Sequence, residues 1–479
     1  MTEPTAPIDL AVVGHTNTGK TSLLRTLLRD PDFGEVADQP GTTRHVESAQ
    51  LLAEDGLPIL ILRDTPGLED GMAVLDTIER LVRPDERPDG PERIRRLLES
   101  PEAVQRFEQE TRVLSTVLEC DAALYVIDVR DPVLAKHRDE LGLLASCGRP
   151  ILPVLNFTHS LNSQADAWRE ALARLGLHAT VDFDTVAPAL DGEAQLIDRL
   201  ALMLDRRGDT LARLRTDLKA QRLRRRADAA RLIAELLMDA AALRLLCPQD
   251  STDMAAITVS LRKRTRDREQ QCVQALLKRY RFSRSTFPHH PLPLEGERWG
   301  MDLFNPQALK AFGIQVGKGV ATGAMAGATI DVFTGGLSLG AATLLGAAVG
   351  GLWQGANQWG KRLVGRIAGY MEITVDDPVL QLLGLRQLAL ARALEQRGHA
   401  AWQPIDGRML APPAETTDAA AGTAAPDAMP GAALPEAVRP ILREARGHPE
   451  WSSLGDAPAA DPRREVLVGR LAAVLDAEL

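Results

Sequence analysis

Residues Gly14-His15-Thr16-Asn17-Thr18-Gly19-Lys20-Thr21 fit the pattern G-x-x-x-x-G-K-[ST], and their surroundings suit it. Ahead of them runs Ile8-Asp9-Leu10-Ala11-Val12-Val13, a short apolar run that reads as a buried strand. Behind them, Ser22-Leu23-Leu24-Arg25-Thr26-Leu27-Leu28 has the apolar spacing of a helix. Strand, glycine loop and helix in that order dictate an α/β unit whose loop N–H groups turn around an anion, with the helix dipole in support. In that setting Gly14, His15, Thr16, Asn17, Thr18, Gly19 and Ser22 surround phosphate groups. The Lys20 ammonium reaches the β- and γ-phosphates, and the Thr21 hydroxyl holds Mg2+.

Two further motifs follow at compatible spacing. Asp64-Thr65-Pro66-Gly67 closes a second apolar run, Pro58-Ile59-Leu60-Ile61-Leu62. A carboxylate at that strand end is placed to contact Mg2+, and the Gly67 N–H to sense a γ-phosphate. Between them lies Pro40-Gly41-Thr42-Thr43-Arg44, in a polar loop. A threonine there, Thr43 by its place in the run, closes over Mg2+ only while the γ-phosphate is bound, which is how a switch loop orders and releases. Each motif alone is weak; the three in order are not.

These residues resemble the Era/TrmE-like bacterial GTPases over residues 7–205. The whole chain is also similar to bacterial proteins in which such a G domain precedes a C-terminal domain of unknown function. The resemblance implies an α/β, Ras-like P-loop domain with a mostly parallel sheet, bound GTP or GDP with Mg2+, and slow GTP hydrolysis.

Two departures bear on chemistry. The family reads guanine with Asn-Lys-x-Asp after a strand. Here the strand Pro150-Ile151-Leu152-Pro153-Val154-Leu155 is followed by Asn156-Phe157-Thr158-His159, so Asn156 is kept and His159 stands in place of the acid. The carboxylate accepts two hydrogen bonds from guanine, whereas a neutral imidazole accepts one at most. Thr185-Val186-Ala187 is the nearest counterpart of the family's fifth motif, Ser-Ala-Lys. The second departure is Leu68, which follows Gly67 where Ras-like enzymes carry a water-orienting glutamine. The resembling family compensates with K+ held by an asparagine of the phosphate loop, and the matching position is Asn17. The expected catalytic set is therefore Lys20, Asn17, Thr43 and Gly67. Glu69 and Asp70 either position water or solvate the loop.

The chain has 479 residues, enough for two to four domains, and its 45% apolar content supplies cores. A net charge of −9 and 4% aromatic residues argue against a nucleic-acid partner. Cys120, Cys147, Cys247 and Cys272 are widely spaced and suit buried thiols in a reducing cytosol rather than a disulfide framework or zinc site. The first residues carry neither a basic nor an apolar segment, so a cytoplasmic location is expected.

Residues 68–120, a charged stretch interrupted by Pro84, Pro88 and Pro91, read as an inserted helical hairpin within the G domain. From 206 to 410 the pattern is that of an all-α effector domain. Its basic clusters, Arg222 with Arg224-Arg225-Arg226 and Arg262-Lys263-Arg264 with Arg266 and Arg268, read as solvated faces, or alternatively as contacts to anionic lipid or RNA. Within it, residues 311–359 repeat glycine at every fourth position (Gly319, Gly323, Gly327; Gly346, Gly350), the spacing of a glycine-zipper helical hairpin. Such a hairpin packs either inside a soluble domain or in a bilayer, in the second case making the protein peripheral or integral at the inner membrane. Residues 411–433 have the composition of a disordered linker and 434–479 that of a short helical segment.

The leading expectation is a switch GTPase whose helical half couples nucleotide state to a protein partner or a membrane. The alternatives are a nucleotide-controlled membrane scaffold with incidental hydrolysis, and a ribosome or RNA assembly factor.

Overall fold

The computed structural model describes residues 6–30, 32–33, 46–53, 55–248, 253–282, 294–295, 298–299, 302–312, 314, 328–331, 370–398, 433–456 and 458–479. The Pro40–Arg44 run with Thr43, most of the glycine-rich stretch 311–359, and residues 411–432 of the expected linker lie outside them. The described chain falls into two units. One gathers the residues up to Arg225 together with 280–282 and 394–398; the other holds the rest.

The first unit is built on a six-stranded sheet. Its strands are β1 (Ile8–Val13), β2 (Glu47–Leu52), β3 (Pro58–Asp64), β4 (Ala122–Asp128), β5 (Ile151–Asn156) and β6 (Val181–Asp182), in the order β2-β3-β1-β4-β5-β6. All neighbours are parallel except the edge pair β2/β3. The strand alternation divides the core in two. Ala11, Val13, Ala123, Tyr125 and Ile127 face one cluster; Ile8, Leu10, Val12, Ala122, Leu124 and Val126 face the other. Both faces are covered, which is why β1 and β4 read as continuous apolar runs. Helix α1 (Lys20–Leu28) puts Leu23, Leu24 and Leu27 into the second cluster. The first is roofed by helices of the 68–120 insertion.

That insertion is four helices rather than one hairpin: α2 (Gly71–Leu81), α3 (Gly90–Glu99), α4 (Pro101–Arg106) and α5 (Glu108–Glu119). The reason is local. Pro91 occupies the first turn of α3 behind a capping Asp89, whose carboxylate accepts from Glu92 N at 2.9 Å. Pro101 opens α4 behind Ser100 in the same way. Proline in a first turn starts a helix instead of breaking it, because its missing N–H has no partner to lose. Helices α6 (Ala135–Ala145), α7 (Ala165–Arg174) and α8 (Gly192–Met203) complete the layers.

The second unit is mainly helical but not all-α. It includes the C-terminal end of a helix that runs Gly208–Ala242, then Met254–Arg279, Asp377–Glu395 up to Ala393, Val438–Arg446 and Pro462–Asp476. Beside them, Arg244–Pro248, Tyr370–Val375 and Ala328–Asp331 form an antiparallel sheet with the middle segment central. Ala328–Asp331 falls inside the expected helical hairpin. Its β-branched Thr329 and Ile330 pair with Thr374 and Ile373, and a ladder partner decides such a short segment against helix. Among the described residues, no helix is long and apolar enough to cross a membrane.

The basic clusters are balanced by acids, with Arg224, Lys263 and Arg266 exposed and Arg225 buried. Arg222 donates to Glu395 at 2.9 Å, and Arg225 is buried beside the same carboxylate. In the second unit Arg264 pairs with Asp456, Arg266 with Asp302, and Arg268 with Asp239. Asp239 is 2% exposed and also receives Arg464 and the Ser453 N–H.

Candidate functional site

The loop between β1 and α1 closes on itself. The Lys20 ammonium, buried, donates to the carbonyls of Gly14 at 3.2 Å and His15 at 2.8 Å, inside the ring its own loop makes. Burial brings it down to about 8, against a partial offset from Asp64, Glu140 and Glu69. Asn17 lies at the exposed tip with φ 65°, a left-handed conformation that asparagine tolerates. Gly19, φ 90°, ends the loop where a Cβ would fall 2.4 Å from the Asn156 amide nitrogen, so no other residue fits there. Thr16, Thr18 and Ser22 flank the ring, Thr18 Oγ1 donating to His15 O at 3.0 Å.

The C-terminal end of β3 delivers the second motif to the same place, because β1 and β3 run side by side with Val12 opposite Asp64. Thr21 Oγ1 donates to Asp64 Oδ2 at 2.6 Å. The other carboxyl oxygen, Oδ1, is buried without a hydrogen-bond partner. Burial pushes Asp64 up to about 6, with the Thr21 hydroxyl and the Lys20 ammonium pulling the other way. A buried carboxylate with an orphaned oxygen beside a threonine hydroxyl is a donor set for a hard divalent cation. Thr21 and Asp64 therefore fit Mg2+. Gly67 passes so close to the loop that a Cβ would lie 2.8 Å from the backbone N and Cα of Thr16. Leu68 then extends the sheet: its N–H donates to Gly14 O at 3.2 Å and its side chain is wholly buried, so it takes no part in handling water.

The two acids after it separate. Asp70 caps α2 by accepting from Ala73 N at 3.2 Å, whereas Glu69 accepts the Thr16 hydroxyl at 3.0 Å and rests on the phosphate loop. Both of their backbone N–H groups point to a residue that sequence patterning did not single out, Glu110 on α5. His15 is held as well. Its Nδ1 meets Glu140 Oε1 at 2.8 Å, and the other Glu140 oxygen takes the Tyr125 hydroxyl at 2.7 Å.

On the opposite side of β1, β5 brings Asn156 to the loop. Its amide donates to Thr18 O at 3.0 Å, while its oxygen accepts from Thr185 N at 3.0 Å. One fully buried side chain thus ties the phosphate loop to the segment Asp184–Ala187. Phe157, φ 62°, lies under the Arg130 guanidinium, 3.9 Å from its ring centroid, a cation–π stack. His159 sits beside Asp184, a buried carboxylate found only in the folded chain; the signal for it was its place next to Thr185-Val186-Ala187. Among the described residues the structure thus gathers Gly14 to Ser22, Asp64, Gly67 and Asn156 around one rim.

Residues 9–157 match the family model described as 50S ribosome-binding GTPase, and residues 169–473 match the model described as domain of unknown function (DUF3482). GTPase Der of Yersinia pestis (strain Pestoides F) and of Yersinia pseudotuberculosis serotype O:1b are each 27% identical over 179 residues, 37% of this chain. The chain spans 30% of the length of those relatives. Solved structures with similarity include Era in complex with MgGDPNP and part of 16S ribosomal RNA, at 16% identity and TM-score 0.31, covering 42% of this chain and 57% of that one. Aquifex aeolicus Era bound to GDP and aluminium fluoride is 16% identical with TM-score 0.29, covering 56% and 89%. The N-terminal domain is a P-loop GTPase domain with a mostly parallel sheet.

Proposed function

Since the chain belongs to the family described as domain of unknown function (DUF3482) and carries a P-loop GTPase domain ahead of that region, we propose that it is a GTP-binding switch that hydrolyses GTP to GDP and phosphate. The observation that carries this reading is the Thr21–Asp64 contact with its orphaned Oδ1, set beside a buried lysine ammonium whose hydrogen bonds go to the loop carbonyls of Gly14 and His15. A Mg-nucleotide satisfies both at once. Lys20 takes the β- and γ-phosphates, Thr21 and Asp64 hold the metal with Thr43, and the Gly67 N–H reports the γ-phosphate. Bound Mg2+ neutralises charge that develops on the phosphates during transfer. Among the chain's own groups, Glu69, resting on Thr16, is the acid positioned at the loop, while Asp70 is committed to capping α2.

Titration with fluorescent GDP tests the reading. Lys20→Ala leaves phosphate charge unpaired and weakens binding at least a hundredfold, about 3 kcal/mol for a lost charge-assisted contact. Undiminished affinity would refute it.

The helical half is the output. A ribosomal or RNA partner becomes the second reading because the family model over the G domain is described as ribosome-binding; the acidic net charge alone does not remove it. The membrane reading rests on the spacing of glycines in 311–359 and on the uncharged run from Val332 to Trp353. Fractionation into cytosol, membrane pellet and ribosomal peak separates a protein partner, a membrane and the ribosome.

A further inference from the structure

His159 and Asp184 form a pair. Asp184 Oδ2 lies 3.2 Å from the His159 N–H and 3.3 Å from ring Nδ1, while Oδ1 accepts from Val186 N at 2.9 Å and Ala187 N at 3.1 Å. All of its acceptor capacity is turned inward, and its side chain is 5% exposed. The His159 side chain is 67% exposed. A carboxylate can only accept, so Nδ1 carries the proton, and the neutral ring keeps one lone pair, on Nε2, facing away from Asp184. The pair stands on the rim that Asn156 ties to the phosphate loop, three residues past Asn156 in the turn after β5.

We propose that His159, held in this tautomer by Asp184, reads the nucleobase through a single acceptor, so that the protein recognises the N1–H of a 6-oxopurine and does not read the 2-amino group. The proposal rests on the guanine-nucleotide reading above and refines it. A carboxylate at position 159 would accept from both N1–H and the 2-amino group; one lone pair meets only one donor. Hypoxanthine shares the 6-oxo group and N1–H with guanine and lacks only the amino group. Asp184 is a positioning residue: it touches the ring, not the base.

Competition against fluorescent GDP tests this, with unlabelled GDP, IDP and ADP and Mg2+ present. In the wild type, IDP competes within about threefold of GDP, since no group is left unpaired by the missing amine. In His159→Asp, IDP falls at least about tenfold behind GDP, because the second carboxyl oxygen is then left without its donor. Asp184→Asn keeps an oxygen for the Val186 and Ala187 N–H groups but turns an amide donor toward Nδ1 and toward the His159 backbone N–H, which loses its acceptor. That reverses the ring's tautomer, so Nε2 presents an N–H that opposes the guanine N1–H and suits the adenine N1 lone pair, and the GDP-to-ADP preference falls by about tenfold. IDP binding tenfold or more weaker than GDP in the wild type overturns the proposal, as does an unchanged GDP-to-ADP preference in Asp184→Asn. Failure of labelled GDP to bind the wild type at all overturns the guanine-nucleotide reading itself, and the pair's role with it.

Discussion

A single carboxyl oxygen of Glu110, on α5, accepts from the backbone N–H of Asp70 at 3.2 Å and from that of Glu69 at 3.4 Å. The inserted helices thereby grip the segment that follows Gly67, the residue whose N–H is proposed to report the γ-phosphate. Glu110 is 6% exposed, so Glu110→Ala leaves two N–H groups with no acceptor in a sheltered place, at a cost of about 1–3 kcal/mol. Amide hydrogen exchange at residues 69–73 is expected to rise, with GDP affinity changed less than threefold. Unchanged exchange would mean the grip carries no energy.

Asp64 sets a pH dependence. Burial raises it to about 6, so below that value a proton competes with the metal. The Mg2+-dependent gain in nucleotide affinity is expected to fall by about tenfold per unit as pH drops below 6, as one-proton competition requires. Stability without nucleotide runs the other way. A carboxyl whose folded value lies above its unfolded one is happier protonated in the fold, so its penalty is fully present above 6 and is relieved as pH falls from 6 toward 4. Asp64→Asn removes both trends; titrations and melting curves at pH 5 and 7.5 measure them.

The catalytic role proposed for Asn17 has its own test. If its exposed side chain at the loop tip ligates K+, hydrolysis runs faster in K+ than in Na+ at equal ionic strength, and Asn17→Ala abolishes the difference. Equal rates in the two salts remove the cation from the mechanism.

Asp239 is the test of the second unit. It neutralises Arg268 and Arg464 while 2% exposed. Asp239→Ala strands two partly buried guanidinium groups, and breaking a buried pair costs about 3–5 kcal/mol. Melting of the helical region should shift down by several degrees, with GDP binding by the N-terminal domain retained. Loss of both together would mean that the two regions unfold as one.

The phosphate loop, the Asp64-Gly67 motif and the strands β1, β3 and β5 were legible in the sequence because each is a local pattern: an apolar run, closed by the glycine loop after β1, by Asp64-Thr65-Pro66-Gly67 after β3 and by Asn156 after β5. Glu110, Glu140 and Asp184 were not, since their roles arise from partners 25 to 125 positions away. Pro91 shows how one residue type misleads. Without the cap in front of it, it looks like a break, and with Asp89 it is a beginning, as Pro101 is behind Ser100. The antiparallel sheet of the second unit failed for another reason. Arg244–Pro248 and Tyr370–Val375 find each other across more than a hundred residues, and nothing in a five-residue run announces so distant a neighbour.

Arg397 and Gly398 lie far along the chain from the sheet, yet the Gly398 N–H donates to Val186 O at 3.1 Å, within the same unit as the phosphate loop. The chain therefore stitches the loop behind Asn156 with thread drawn from more than two hundred residues downstream of where the sheet ends. An excised fragment stopping at residue 205 would keep every motif and still lose that stitch. Nucleotide exchange measured on such a fragment would report a looser loop than the full chain possesses.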